Sequence, residues 1–279
     1  MDNLLFFTRQ VGDFHVTAVS DGTMTASFNV LNGIDISEAE NIQHRAGIIN
    51  ANDIHINCYL IRSHGKTILI DTGTGGLNNA GGELTNNLRT VSVFPEDIDI
   101  ILLTHAHPDH IGGLLDAQQR AVYKNAEIYL HTLEADYWLN DDEMCAANER
   151  VKRNFSLVRR TFDVYAEKLH RLTDKAVIPG ITPRLLPGHT PGHTGFQVES
   201  KGNSLLIWGD IVHFPQIQSS HPDVSVIFDY NPLQAEATRK QIMTQVAREH
   251  TLIAGMNLAM PGFAWVNQED TEFHIQYVD

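Results

Sequence analysis

Between Thr104 and Gly113 the chain reads THAHPDHIGG, with three histidines and an aspartate inside positions 105–110. In an extended segment alternate side chains point the same way, so His105 and His107 aim at one side. Pro108 favours a turn or a helix start. Asp109 and His110 then fall in that first turn and fold back over the same space. Ile111-Gly112-Gly113 lets the backbone pass close by. Three neutral imidazoles and a carboxylate facing one point make a site for a divalent transition metal, most often zinc. The alternative is a polar surface loop in a chain with 15 histidines. That alternative would not call for these spacings directly after an apolar run.

Two later stretches offer further ligands. Leu186 to Gly195, LPGHTPGHTG, carries His189 and His193 among prolines and glycines. Leu206 to Asp210, LIWGD, is an apolar run ending in Gly-Asp. Asp210 alone would be weak evidence, because Gly-Asp is a common turn pair. A serine nucleophile is not needed, and Gly-x-Ser-x-Gly is absent.

The elements around these residues read as an α/β pattern. IDIILL (98–103) is short, β-branched and bounded by polar residues, as a buried strand is. The cluster therefore lies where a core strand emerges into a loop, the place where open α/β folds put their chemistry. Strands are also expected at 14–19, 126–131, 184–187, 195–200, 204–210 and 251–256. HINCYLI (55–61) and KTILIDTG (66–73) form a hairpin around Ser63-His64-Gly65. Residues 20–50 read as a long irregular loop. Phe155, Val158, Phe162, Tyr165 and Leu169 recur at helical steps and predict one packed helix face. Asn231-Pro232 starts a helix that runs to about His250. No repeat or linker divides residues 1–279, so one domain of two β-rich halves, each ending in helix, is expected.

Composition excludes several classes. With 20 basic against 34 acidic residues the net charge is -14, which repels phosphate backbones and anionic lipid. Nucleic acid and membrane are therefore not expected partners. Cys58 and Cys145 have neither metal-ligand spacing nor a disulfide framework around them, which fits a reducing compartment. The start, MDNLLFFTRQVGD, lacks the basic and long apolar regions of a signal peptide, so a cytoplasmic location is expected.

HxHxDH at 105–110, PGHTG at 191–195 and Gly209-Asp210 together resemble the metallo-β-lactamase superfamily. WGDIVH, FDYNP and AGMNLAMPGF look most like its branch of lactonases, arylesterases and methyl-parathion-hydrolase-like phosphotriesterases. The resemblance implies an αββα sandwich with metals at one edge between the halves, and a homodimer. It implies His105, His107 and His193 on a first zinc, Asp109 and His110 on a second, and Asp210 bridging. His189 matches a position near the site that is not usually a ligand. Asn257 stands where the family has its last histidine ligand, so the second metal should bind more weakly, or be iron or manganese. Met260 and Ala264-Trp265 depart from the branch as well and suggest an altered pocket wall.

The ligand set implies a mechanism. Metal binding brings the pKa of water to about 7, and the hydroxide attacks a carbonyl carbon or a phosphorus centre. The metal also holds the charge that develops on the oxygen under attack. Asp109 or Asp210 orients the hydroxide and moves a proton to the leaving group, and His213 points at the substrate. Phe28, Ile211 and Phe214 are candidate pocket walls. The expected substrate is a small, neutral ester or lactone, with phosphotriesters as promiscuous substrates. Two other readings stand beside this one. One is a thioesterase of the same fold, although no glutathione-binding helical domain follows. The other is a degenerate member that binds one metal or none and serves as a binding protein.

Overall fold

The structure is a computed structural model that describes residues 4–270 and 272–278. The first three residues of the N-terminal segment read above lie outside the described residues.

Two sheets carry the fold. The first has seven strands in the order Phe6–Val11, Phe14–Thr25, Asp53–Ser63, Lys66–Ile70, Ile100–Leu102, Glu127–His131 and Leu169–Leu172. The second has six, in the order Glu272–Tyr277, Phe263–Glu269, Leu252–Ala254, Asn203–Ile207, Thr194–Ser200 and Ile181–Leu185. Strand alternation decides what each face covers. Tyr59, Ile61, Ile68 and Ile70 meet Phe196, Val198, Leu205 and Ile207 between the sheets. The intervening Leu60 and Leu69 face outward onto Phe155, Val158 and Phe162 of the helix Glu149–Val164. Leu206 and Ile253 face outward on the other side, onto Ile242, Met243 and Val246 of the helix Pro232–Glu249. Helix, sheet, sheet and helix thus stack in four layers, the αββα sandwich expected from the motifs. Among the described residues no helix is long and apolar enough to cross a membrane.

Several expected elements sit where the pattern put them. The hairpin pairs Asp53–Ser63 with Lys66–Ile70. The Asn231 side chain accepts a hydrogen bond from Gln234 N at the start of its helix. The core strand of the cluster is shorter than read, Ile100–Leu102, and pairs in parallel with strands on both sides. Other readings need correction. Residues 20–50 are not one loop: the strand runs on to Thr25, and Ile36–Arg45 is a helix. Leu169 does not belong to the helical stripe. That helix ends at Val164, and Leu169 opens a strand whose burial matched the helical step by coincidence. The strand read at 184–187 is Ile181–Leu185, at the sheet edge, where Pro183 removes no ladder hydrogen bond to a further strand.

Candidate metal centre

The THAHPDH segment leaves Leu102 and turns at Pro108 into the short helix Pro108–Ile111. Two buried carboxylates hold it in place. Asp71, in a left-handed conformation at φ 59, follows the strand Lys66–Ile70. It accepts hydrogen bonds from Thr104 N at 2.8 Å and Thr104 Oγ1 at 2.7 Å, and it lies 2.6 Å from His110 Nδ1. Glu134 joins two histidine-bearing loops. Its Oε1 accepts from Ala106 N at 3.0 Å and Trp138 Nε1 at 2.7 Å. Its Oε2 accepts from Thr190 Oγ1 at 2.6 Å and Gly192 N at 3.0 Å. Gly113 lets the segment lie flat on the neighbouring loop, because a Cβ there would strike the Thr72 carbonyl.

A third carboxylate shapes the rim. Asp21 is the extra residue where the pairing of Phe14–Thr25 with Asp53–Ser63 shifts register, and such a bulge re-aims a side chain. Its carboxylate accepts from Thr74 N and Leu84 N, both at 2.8 Å, and so closes the glycine-rich loop that carries Leu77, Asn78 and Asn79 to the cleft.

The side chains this scaffold gathers differ in one respect from those expected. His107 Nδ1 lies 3.1 Å from His105 Nε2 and 2.9 Å from His189 Nε2. His189 Nδ1 lies 2.9 Å from Asp229 Oδ1, which places a proton on Nδ1 and turns Nε2 toward His107. His105, His107 and His189 thus form one metal-capable group, beside two others that share Asp210: His105 with His110, and His189 with His213. His193, expected as the third ligand, has both ring nitrogens engaged by the backbone. Its Nδ1 donates to Leu186 O at 2.8 Å, and its Nε2 accepts from Asp210 N at 2.9 Å. Burial, and after it the neighbouring His189, bring its pKa down to about 3, in keeping with a permanently neutral ring. Gly209 is needed above it, since a Cβ there would collide with His193 Nε2.

Asp210 is the hub of the site. Its Oδ2 lies 3.2 Å from His110 Nε2, 3.3 Å from His213 Nε2, 3.6 Å from His189 Nε2 and 3.9 Å from His105 Nε2. Asp109 Oδ2 is 3.5 Å from His110 Nε2, at the cleft side of the cluster. Burial pushes the His105 and His107 pKa values well down, and their histidine neighbours push the same way. At His110 burial works against protonation, but Asp210, Asp109 and Asp71 outweigh it and raise the pKa. At Asp210 burial favours the neutral acid, but His110 and His213 prevail and hold the carboxylate well below its ordinary range.

The residues fit a metal on three counts. His107 Nδ1 lies 3.1 Å from His105 Nε2 and 2.9 Å from His189 Nε2, near the roughly 3.3 Å that zinc–nitrogen bonds of about 2.0 Å impose in a tetrahedron. Asp210 Oδ1 and His213 Nδ1 are buried and have no hydrogen-bond partner among the described residues. Finally, His189 and His110 are each backed by a carboxylate, the outer support that metal-binding histidines commonly have.

Other expected site residues lie elsewhere. Asn257 Nδ2 donates to Val212 O at 3.2 Å. Asn257 and Met260 line a separate cavity of about 840 Å³, together with His55 and Phe214. No hydrogen bond joins Asn257 to Asp109, His110 or Asp210 among the described residues, so its placement as a second-metal ligand has no geometric support. Phe28 and Phe214 pack on each other at 5.3 Å within a buried cluster, and Ile211 is buried against the helix Pro232–Glu249. None of the three lines the cleft of about 610 Å³ over the metal cluster, whose apolar lining comes from Met24, Leu77 and Phe228. Ala264 is core, and Trp265 stacks on His250 at 4.4 Å. His213 lines the cleft. The sequence reading missed Asp21, Asp71, Glu134 and Asp229. The usable signal was the acidic residue in each of the strand-ending or loop segments IDTG and FDYNP, beside chain that is otherwise apolar.

The metallo-beta-lactamase superfamily model matches residues 51–247, and the chain belongs to that superfamily. Over its whole length it superposes on the crystal structure of AbOPH, a hydrolase in the beta lactamase superfamily, with a TM-score of 0.91 and 27% identity, covering 100% of this chain and 99% of that one. AidC, a dizinc quorum-quenching lactonase in complex with an acyl-homoserine product, gives 0.91 and 26%, covering 98% and 97%. The N-acyl homoserine lactonase of Bacillus thuringiensis is 23% identical over 217 residues, 70% of this chain and 78% of that protein. The endoribonuclease YSH1 of Candida glabrata is 23% identical over 258 residues, 83% of this chain and 32% of that protein. The chain thus spans about a third of the length of these ribonuclease relatives.

Proposed function

We propose that this protein is a metal-dependent hydrolase of small lactones or carboxylic esters. The observation that carries the reading is the convergence of His105 Nε2, His107 Nδ1 and His189 Nε2 beside Asp210 at the base of the cleft. Zinc is the best match to three imidazoles, and Asp109, His110 and Asp210 offer a second position. When bound, such a metal acidifies water toward neutral pH and polarises the carbonyl under attack. The protein's own groups do the rest. Asp210 Oδ1, without a hydrogen-bond partner among the described residues, orients the attacking water. Asp109, reachable from the cleft, takes up the proton and delivers it to the leaving oxygen. His213, 3.3 Å from Asp210 Oδ2, steadies that carboxylate and presents its ring to the substrate. The likeness to a dizinc lactonase at 26% identity over nearly the whole chain supports a lactone as the first substrate to try.

The test is hydrolysis of an acyl-homoserine lactone, an aryl ester and a single-stranded RNA by the purified protein, before and after chelation and again after zinc is restored. Zinc-dependent turnover of the lactone or the aryl ester is expected. Turnover that survives complete metal removal, or cleavage of RNA alone, overturns the reading. The net charge of -14 argues against RNA.

A further inference from the structure

A cation lines the cleft over the metal cluster. Arg150 and Asn154, one turn apart on the helix Glu149–Val164, line it together with His107, Asp109 and Asp210. The Arg150 guanidinium carbon lies 5.0 Å from the centre of the Phe228 ring. That ring is 6.2 Å from the His213 ring, which in turn abuts Asp210. A single aromatic side chain therefore bridges the metal cluster and the guanidinium. Arg150 and Phe228 also line an adjoining cavity of about 310 Å³.

Nothing in the fold asks for a charge at this point. The one hydrogen bond of the guanidinium among the described residues is a long 3.4 Å contact to the Ile227 carbonyl. No carboxylate of the described residues lies within ion-pair distance of it, whereas Arg159 pairs with Asp141 and Lys152 with Glu149 on the same helix. Arg150 also occupies the first turn of the helix, where the macrodipole disfavours a cation. Half-buried on an aromatic face, the guanidinium keeps its planar fork of donors available.

We propose that Arg150, seated on Phe228, binds a carboxylate that the substrate carries outside the bond to be hydrolysed, so that monoanionic esters or lactones are preferred over neutral ones. This rests on the hydrolase reading above and narrows its substrate class. It also revises the neutral substrate expected from composition: net charge governs approach from a distance, whereas a half-buried guanidinium in the cleft governs what fits. One cation accommodates one carboxylate. Multiply charged phosphates would still face Asp109, Asp210 and the acidic surface.

The experiment compares two aryl esters of matched shape, 3-carboxyphenyl butyrate and 3-carbamoylphenyl butyrate, on the zinc-loaded protein and on Arg150→Gln, Arg150→Lys and Arg153→Gln. Arg153 is an exposed neighbour that does not line the cleft. The ratio of kcat/KM, carboxylate over carboxamide, is expected to exceed one and to fall about tenfold in Arg150→Gln, mostly through KM. A charge-assisted contact at a partly exposed site supports a change of that size. Arg150→Lys should retain part of the preference and Arg153→Gln all of it. Calorimetric binding of 3-hydroxybenzoate against 3-hydroxybenzamide to the same four proteins reads the same contact without turnover. If neither ester nor an acyl-homoserine lactone is hydrolysed, the hydrolase reading fails, while a carboxylate preference in binding that is lost in Arg150→Gln still upholds Arg150. An unchanged ratio in Arg150→Gln, or an equal fall in Arg153→Gln, overturns the proposal.

Discussion

His193 Nε2 accepts a hydrogen bond from Asp210 N at 2.9 Å, so this histidine holds up the residue at the centre of the metal cluster and does not itself reach into it. Its other nitrogen holds Leu186 O. His193→Ala leaves a buried amide and a buried carbonyl without partners, at a cost of about 2–5 kcal/mol. The expected result is a lower midpoint in thermal or denaturant unfolding, with near-wild-type zinc content in the protein that remains folded at low temperature. Complete loss of zinc from well-folded His193→Ala would restore it as a ligand.

Asp229 lies behind His189 as Asp71 lies behind His110. Removing such a support costs roughly 10–100-fold in metal affinity. Asp229→Ala should therefore release zinc to a competing chelator at a correspondingly lower chelator concentration, with circular dichroism unchanged. A chelator titration that superimposes on that of the wild type would mean that His189 needs no such support.

Glu134 accepts four hydrogen bonds: one from Ala106 N in the first loop, two from Thr190 and Gly192 in the second, and one from Trp138 on its own helix. Burial raises its pKa even though all four bonds favour the carboxylate. Glu134→Gln replaces one accepting oxygen by a donor and sets it against an N–H or O–H. A loss of about 1–3 kcal/mol in folding stability is expected from urea unfolding, together with weakened hydrolysis as the His107 and His189 loops loosen. A variant as stable and active as the wild type would show that the loops hold their places without this tie.

Asn257 is predicted to matter for packing and not for metal. Asn257→Ala frees the Val212 carbonyl and should cost about 1–2 kcal/mol in stability, while elemental analysis finds the same zinc per chain. A drop in zinc content with stability preserved would place its side chain at the second metal after all.

The parts of this account that were legible in the sequence are those where a local pattern has one physical solution. HxHxDH after an apolar run reads as a cluster at a strand end, and Asn231-Pro232 caps its helix as its residue types predict. The choice between His189 and His193 was not legible. Both follow a Pro-Gly pair in LPGHTPGHTG, and the decision is made by distant partners: Asp229 turns one ring inward, while Leu186 O and Asp210 N capture the other. Phe28, Ile211 and Phe214 misled for a related reason. Nearness in sequence to Asp210, or aromatic character, says nothing about which side of a strand faces the cleft. The helix Ile36–Arg45 was hidden among glycines and polar residues, although Asp35 at its N-cap and the spacing of the buried Ala39 and Ile42 were available as signals.

The central claim is that His105, His107 and His189 hold the metal on which hydrolysis depends. The most direct test measures zinc per chain by elemental analysis, and acyl-homoserine lactone turnover on the same samples, for the wild type and His189→Ala after chelation and dialysis against zinc. The account predicts at least one zinc and restored turnover in the wild type. It predicts loss of the tightly held zinc, and at least a 100-fold loss of turnover, in a folded His189→Ala. Equal zinc content and equal turnover in the two proteins would contradict it.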